Sequence, residues 1–245
     1  MADALLAVTG LGKRFGGFVA LDGIDFEVRA GERVGLIGPN GSGKSTFVNC
    51  ISGNLRNEAG AVRFNGSALD GLPAYQRTRL GLARSFQLPR PFRSLSVAEN
   101  LRIPLLYTVN HRSGFRMSEG QISTRCEELL RMVALDGKAK ARPHDLTQIE
   151  MRKLELARAV AAAPKLLIAD EAMAGLSHSE VDDIIALLLK LNESGIAVIL
   201  IEHIMRAVMA FSQRLVVLVA GHKIADGLPQ DVVRNPEVER AYLGE

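Results

Sequence analysis

The stretch GPNGSGKST, residues 38–46, restricts the folds open to this chain more than any other. It follows RVGLIG, a short apolar run of the kind buried in a parallel sheet, and it opens SGKSTFVNCISG, which reads as a helix ending at Gly53. Strand, glycine-rich loop and helix in that order are the context that gives G-x-x-x-x-G-K-[ST] its meaning as a phosphate-binding loop. Gly38 opens the loop, and Gly41 and Gly43 let the backbone come close to a ligand. The N–H groups of Asn40, Gly41, Ser42, Gly43, Lys44, Ser45 and Thr46 can converge on β- and γ-phosphates at a helix N-terminus. Lys44 adds a point charge, and the Ser45 hydroxyl is a ligand for Mg2+. Kinases, GTPases and ATPases share such a loop, so it leaves the reaction open.

The rest of the chain alternates strands and helices, the pattern of an α/β fold. LLAVTGL and GIDFEV read as strands separated by the turn-rich GKRFGGFVALDG, and AVRFNG as a strand closing on the turn Asn65-Gly66. KLLIAD, IAVILIE and RLVVLVAG are three more buried strands, and HKIADG continues as an edge strand. Between them, about 89–160 has a different texture: two prolines, a capping box at Ser96 and Glu99, and the amphipathic EELLRMVALDG. That section reads as a helical lobe inserted in a core of about 1–88 and 161–245. The last stretch suggests two short helices about Pro236.

Two strand ends carry further chemistry. KLLIADE brings Asp170 to the carboxyl end of a strand, where ligands of open α/β sheets collect. Asp170 can hold Mg2+ through water, and Glu171 can orient and deprotonate an attacking water. VILIEH ends with Glu202-His203 on a strand expected beside that of Asp170, which puts His203 within reach of a γ-phosphate. Charge argues for no nucleic-acid role: the net charge is +3, and the basic residues are dispersed. Cys50 and Cys126 lack metal spacing, which suits a reduced compartment, and Cys50 reads as a small core residue. The opening MADALLAVTG lacks the pattern of a signal peptide. No run approaches the roughly 18 uncharged apolar residues of a membrane helix.

With these three elements in this order, the chain resembles the ATP-binding subunit of an ABC transporter. The resemblance implies a P-loop core with an N-terminal antiparallel β-subdomain and an inserted helical lobe, in one domain over 1–245. It implies ATP and Mg2+ as cofactors. Phe15 matches the aromatic that stacks on adenine, and Gln87 in ARSFQL matches the glutamine that touches Mg2+ and the attacking water. His203 matches the switch histidine, and AGLS, residues 174–177, the loop that crosses to a partner ATPase. The family works as a head-to-tail dimer, each ATP lying between one chain's phosphate loop and the other's signature helix. Permease subunits in the membrane are the implied partners, at its cytoplasmic face.

Several positions depart from the family pattern. The signature L-S-G-G-Q is here Leu146-Thr147-Gln148-Ile149-Glu150. Ala172 replaces a common proline, Ser177 an aspartate and Ile204 an aspartate. Thr147 keeps a hydroxyl for the ATP bound by the partner, and Thr147 with Glu150 forms a second capping box. Glu150 adds a negative charge near an incoming phosphate. A complete phosphate site and an altered signature imply pairing with a different ATPase and two unequal sites. The tail HKIADGLPQDVVRNPEVERAYLGE is similar to ATPases of importers for branched-chain and other hydrophobic amino acids, which also use a periplasmic binding protein. Urea, amide or aromatic-acid uptake, lipopolysaccharide export and a weakly active regulatory ATPase remain alternatives.

Overall fold

The computed structural model describes residues 4–85, 89–112, 114 and 116–243. Its first unit is an antiparallel sheet of four strands in the order β2-β1-β4-β5: β1 Leu6–Phe15, β2 Phe18–Val28, β4 Ala59–Phe64 and β5 Ser67–Ala68. The segment read as a turn-rich connection is mostly strand. β1 and β2 form one long hairpin turning at Gly16-Gly17, with Phe15 paired to Phe18 at its tip. Register shifts between Val8 and Arg14 take up the glycines that gave the segment its turn-like appearance.

The second sheet has the order β10-β9-β3-β8-β7-β6, comprising β3 Arg33–Ile37, β6 Leu82–Ser85, β7 Leu166–Asp170, β8 Ala197–Ile201, β9 Arg214–Val219 and β10 His222–Gly227. All neighbours are parallel except β10, which is antiparallel and lies at the edge. Every residue of β7 and β8 is buried, because both faces of the sheet are covered. Alternation divides each strand between two cores. Leu166 and Ile168 face a cluster shared with the antiparallel sheet and helix α1, Lys44–Ser52. Leu167 and Ala169 face the helices on the other side.

Those helices are α3 Val97–Tyr107, α4 Glu119–Met132, α5 Gln148–Ala161 and α6 His178–Glu193. One apolar cluster runs from Leu101 and Leu129 through Leu154 to Leu188 and Leu200, so α5 packs against lobe and sheet alike. Ser96, Ser118 and Thr147 each close a capping box with the residue three further on. Helix α2, Ala74–Leu80, and strand β6 were not distinguished in the sequence. β6 is four residues long and carries an arginine. The remaining helices are α7 Met205–Phe211, α8 Pro229–Val232 and α9 Pro236–Leu243. Val232 and Val238 pack with Ile37 and Val217 under the root of the phosphate loop. Among the described residues no helix is long and apolar enough to cross a membrane.

Candidate functional site

β3 runs straight into the glycine-rich loop, and the loop into α1. A Cβ on Gly38 would lie 2.1 Å from the Leu218 carbonyl oxygen, so only glycine lets the chain leave β3 against β9. Gly43 is the N-cap of α1 with φ 103°, and its Cβ would meet the Ala20 carbonyl oxygen at 2.7 Å. No side chain caps α1 and no acid stands in its first turn, so its N–H groups remain directed at the loop. Lys44 is buried, with Nζ donating to the carbonyl oxygens of Gly38 at 2.7 Å and Pro39 at 3.0 Å. Burial lowers its pKa, an effect opposed by the charges of Glu171 and Asp170.

The register of β7 and β8 builds the opposite wall. Asp170 pairs with Ile201, which sets Glu171 beside Glu202 and His203. Glu171 adopts φ 47°, unusual for a residue with a side chain, and its N–H bonds the Ile201 carbonyl at 2.9 Å. The strand thus ends in a sharp turn. His203 Nε2 stands 3.1 Å from Glu171 Oε1. A cleft of about 240 Å³ is lined by Phe18, Asn40, Gly41, Ser42, Gly43, Lys44, Ser45, Thr46, Glu171 and His203 among others. Asp170 does not line the cleft; it is 7% exposed and paired with Arg84 at 2.6 Å.

The structure therefore brings the phosphate loop, Glu171 and His203 to one cleft. Phe15 and Phe18 both stand exposed at the hairpin tip. Phe18 is the one that lines the cleft, whereas Lys13 lies over Phe15 at 5.3 Å. Gln87 lies outside the described residues. Thr147 is away from this cleft, at the start of α5, where its hydroxyl accepts the Glu150 N–H. The Glu150 carboxylate accepts the Thr147 N–H at 2.8 Å and lies 2.7 Å from Lys138 Nζ. Its charge is thus paired and turned back on the helix start instead of standing open to an incoming phosphate. Gln148 donates from Nε2 to the Ala174 carbonyl at 3.3 Å, and Arg152 to the same oxygen at 3.2 Å. The signature helix is therefore tied to the loop that follows Glu171.

Sequence reasoning missed three contributors. Glu202 is 3% exposed and accepts the Met173 N–H at 2.8 Å, which holds the loop after Glu171. Burial raises its pKa, partly offset by the N–H groups of Met173 and His203. Arg84 and Phe18 were also passed over. No signal for Arg84 was available, because the four-residue strand that carries it was not read from the sequence.

Fold and cleft together define an ATP-binding cassette. Residues 21–174 match the family model described as ABC transporter, and the chain belongs to that family. Residues 222–245 match a second model, described as branched-chain amino acid ATP-binding cassette transporter. The chain is 37% identical to the high-affinity branched-chain amino acid transport ATP-binding protein BraF of Pseudomonas aeruginosa, covering 100% of both chains. Its structure is similar to the ADP conformation of MJ1267, an ATP-binding cassette of an ABC transporter. That match has a TM-score of 0.88 at 30% identity and covers 99% of this chain and 100% of the other. It is also similar to MJ0796, whose dimeric structure holds ADP and Pi in a post-hydrolysis state. There the TM-score is 0.80 at 26% identity, with 91% and 98% covered.

Proposed function

We propose that this chain is the ATP-hydrolysing subunit of an ABC importer for branched-chain or related hydrophobic amino acids. The observation that carries the hydrolytic reading is the convergence of the open α1 N-terminus, Lys44, Glu171 and His203 on one cleft. The tail match and the similarity to BraF support the cargo class.

ATP would lie with its phosphates on the N–H groups of Gly41 to Thr46 and its adenine near the Phe15–Phe18 tip. The donors toward a metal are the Ser45 hydroxyl and the Asp170 carboxylate, both hard oxygens suited to Mg2+. Among the described residues no group of three His, Cys, Asp or Glu side chains forms a metal cage. Mg2+ needs none, since it keeps several waters and takes phosphate oxygens. When bound, it would neutralise charge on the β- and γ-phosphates; Gln87 is proposed as a further ligand. Glu171 would take a proton from the attacking water as its oxygen bonds the γ-phosphorus and the bond to ADP breaks. His203, 3.1 Å from Glu171, would steady that carboxylate and face the γ-phosphate. A base in the position of Glu171 contributes about 10²–10⁴-fold.

The second half of the proposal concerns assembly. The chain would join a different ATPase head to tail, below two permease subunits fed by a periplasmic binding protein, at the cytoplasmic face of the membrane. Thr147 would meet the partner's ATP. The Gln148 contact to Ala174 stands where the family has glycine, which favours two unequal sites. The test is uptake of radiolabelled leucine by cells carrying the permease genes with wild-type or Glu171→Gln chain. Wild type should import and the variant should not. Uptake of urea in place of leucine would refute the cargo class, and equal uptake by both chains would refute the hydrolytic role.

A further inference from the structure

Arg84 is an arginine inside a short buried strand, and neither the phosphate loop nor the lobe explains why it is there. β6 places it beside Ile168 of β7, two residues before the end of that strand. Among the described residues its guanidinium makes two short bonds. Nη2 donates to Asp170 Oδ2 at 2.6 Å, and Nη1 to Asn49 Oδ1 at 2.6 Å. The arginine side chain is 12% exposed and that of Asp170 10%. Asn49 belongs to α1, the helix that begins at Lys44. On its other side Arg84 lines the groove between core and lobe, with Phe92, Glu155 and Arg158.

We infer that Arg84 is a positioning residue for the metal end of the site. It holds the Asp170 carboxylate by one oxygen and leaves the other to face hydrated Mg2+ beside the phosphate loop. It also ties that orientation to α1 and to the interlobe groove. The inference rests on the reading of Asp170 as a Mg2+-holding residue.

Three physical points support it. A planar guanidinium meets two acceptors in a fixed geometry, which an ammonium does not. Charge-assisted bonds of this length are strong, and they act here in a poorly solvated place. Carboxylates that hold a metal are commonly oriented by such partners, whose loss costs about 10–100-fold in metal affinity or activity. Without Arg84, Asp170 would lie buried next to the like charge of Glu171, free to turn from the loop.

The test is binding of a fluorescent ATP analogue to the full chain, with Mg2+ and with EDTA. In wild type Mg2+ should tighten binding. In Arg84→Gln that tightening should fall by about tenfold or more, with affinity in EDTA unchanged. Arg84→Lys should recover part of it, since an ammonium can still reach one acceptor. Adding Arg84→Gln to Asp170→Asn should change nothing further, as expected of residues acting through one contact. Should Arg84→Gln fail to melt cooperatively, Arg84→Lys alone reads the same difference. Full Mg2+ tightening in the variants would overturn the inference. So would an equal loss in Mg2+ and in EDTA, which is damage to the fold. A wild type indifferent to Mg2+ would overturn the reading of Asp170 itself, and Arg84's role with it.

Discussion

Replacing Gln148 and Ile149 with glycine should exchange stability for rate at the site this chain lends to its partner. Both residues lie in the first turn of α5, and Ile149 is partly buried against the lobe core. Two glycines in a helix cost up to about 1 kcal/mol each. Half-burying an isoleucine is worth about 1 kcal/mol, and the exposed bond from Gln148 to Ala174 about 0.5 kcal/mol at most. The sum, roughly 2–4 kcal/mol, lowers the melting temperature by roughly 5–15 °C in a chain of this size and leaves it folded. The gain is room for phosphate above the N–H groups of residues 148–150. One recovered charge-assisted hydrogen bond is worth about 1.5–3 kcal/mol, or roughly tenfold or more in rate if made in the transition state. The assay is steady-state hydrolysis by the assembled complex with Glu171→Gln in this chain, so that only the partner's phosphate loop turns over. A lower melting temperature with a faster rate is expected. A lower melting temperature with an unchanged rate would show that the two side chains never obstructed the site.

Two further tests concern residues that hold the site in place. Glu202→Ala should destabilise the chain by about 1–3 kcal/mol in chemical denaturation, because it strands the buried Met173 N–H, whereas Glu202→Gln keeps an acceptor and should lie close to wild type. Equal losses in both variants would show that the Glu202 charge, not its acceptor oxygen, holds the loop. The Glu150 pKa is lowered first by its bond to Lys138 and then by the Thr147 N–H, so the stability it contributes is complete above the unfolded carboxylate value, about 4.3, and is lost as pH falls through the lower folded value. Melting temperatures taken from about pH 6 to pH 3 should therefore fall less steeply for Glu150→Gln than for wild type; parallel curves would remove Glu150 from that role.

What could be read from the sequence was what local physics writes into a short stretch. The phosphate loop is contiguous, and fully buried parallel strands are unbroken apolar runs, so the positions of Asp170 and His203 at two strand ends were legible. Capping boxes at Ser96 and Thr147 were legible for the same reason. The hairpin that carries Phe15 and Phe18 was hidden because its bulge glycines look like a turn. Arg84 and Glu202 were hidden because each works through a partner distant in sequence: Asp170 and Asn49 for one, Met173 for the other. Gln148 was visible as a departure from the family pattern. Its contact with Ala174 needed the register of α5 against the loop after β7.

The central claim is that this chain's own cleft is a complete hydrolytic site centred on Glu171. Glu171→Gln keeps the length and shape of the side chain, so the turn at the end of β7 should survive. The deciding measurement is ATP binding and ATP turnover by the assembled complex carrying that change, with the partner ATPase's own phosphate loop disabled in wild type and variant alike, so that only this chain's cleft turns over. The expected result is wild-type binding with turnover reduced by about 10²-fold or more. Turnover equal to wild type, with binding intact, would contradict the claim and take Glu171 out of the chemistry.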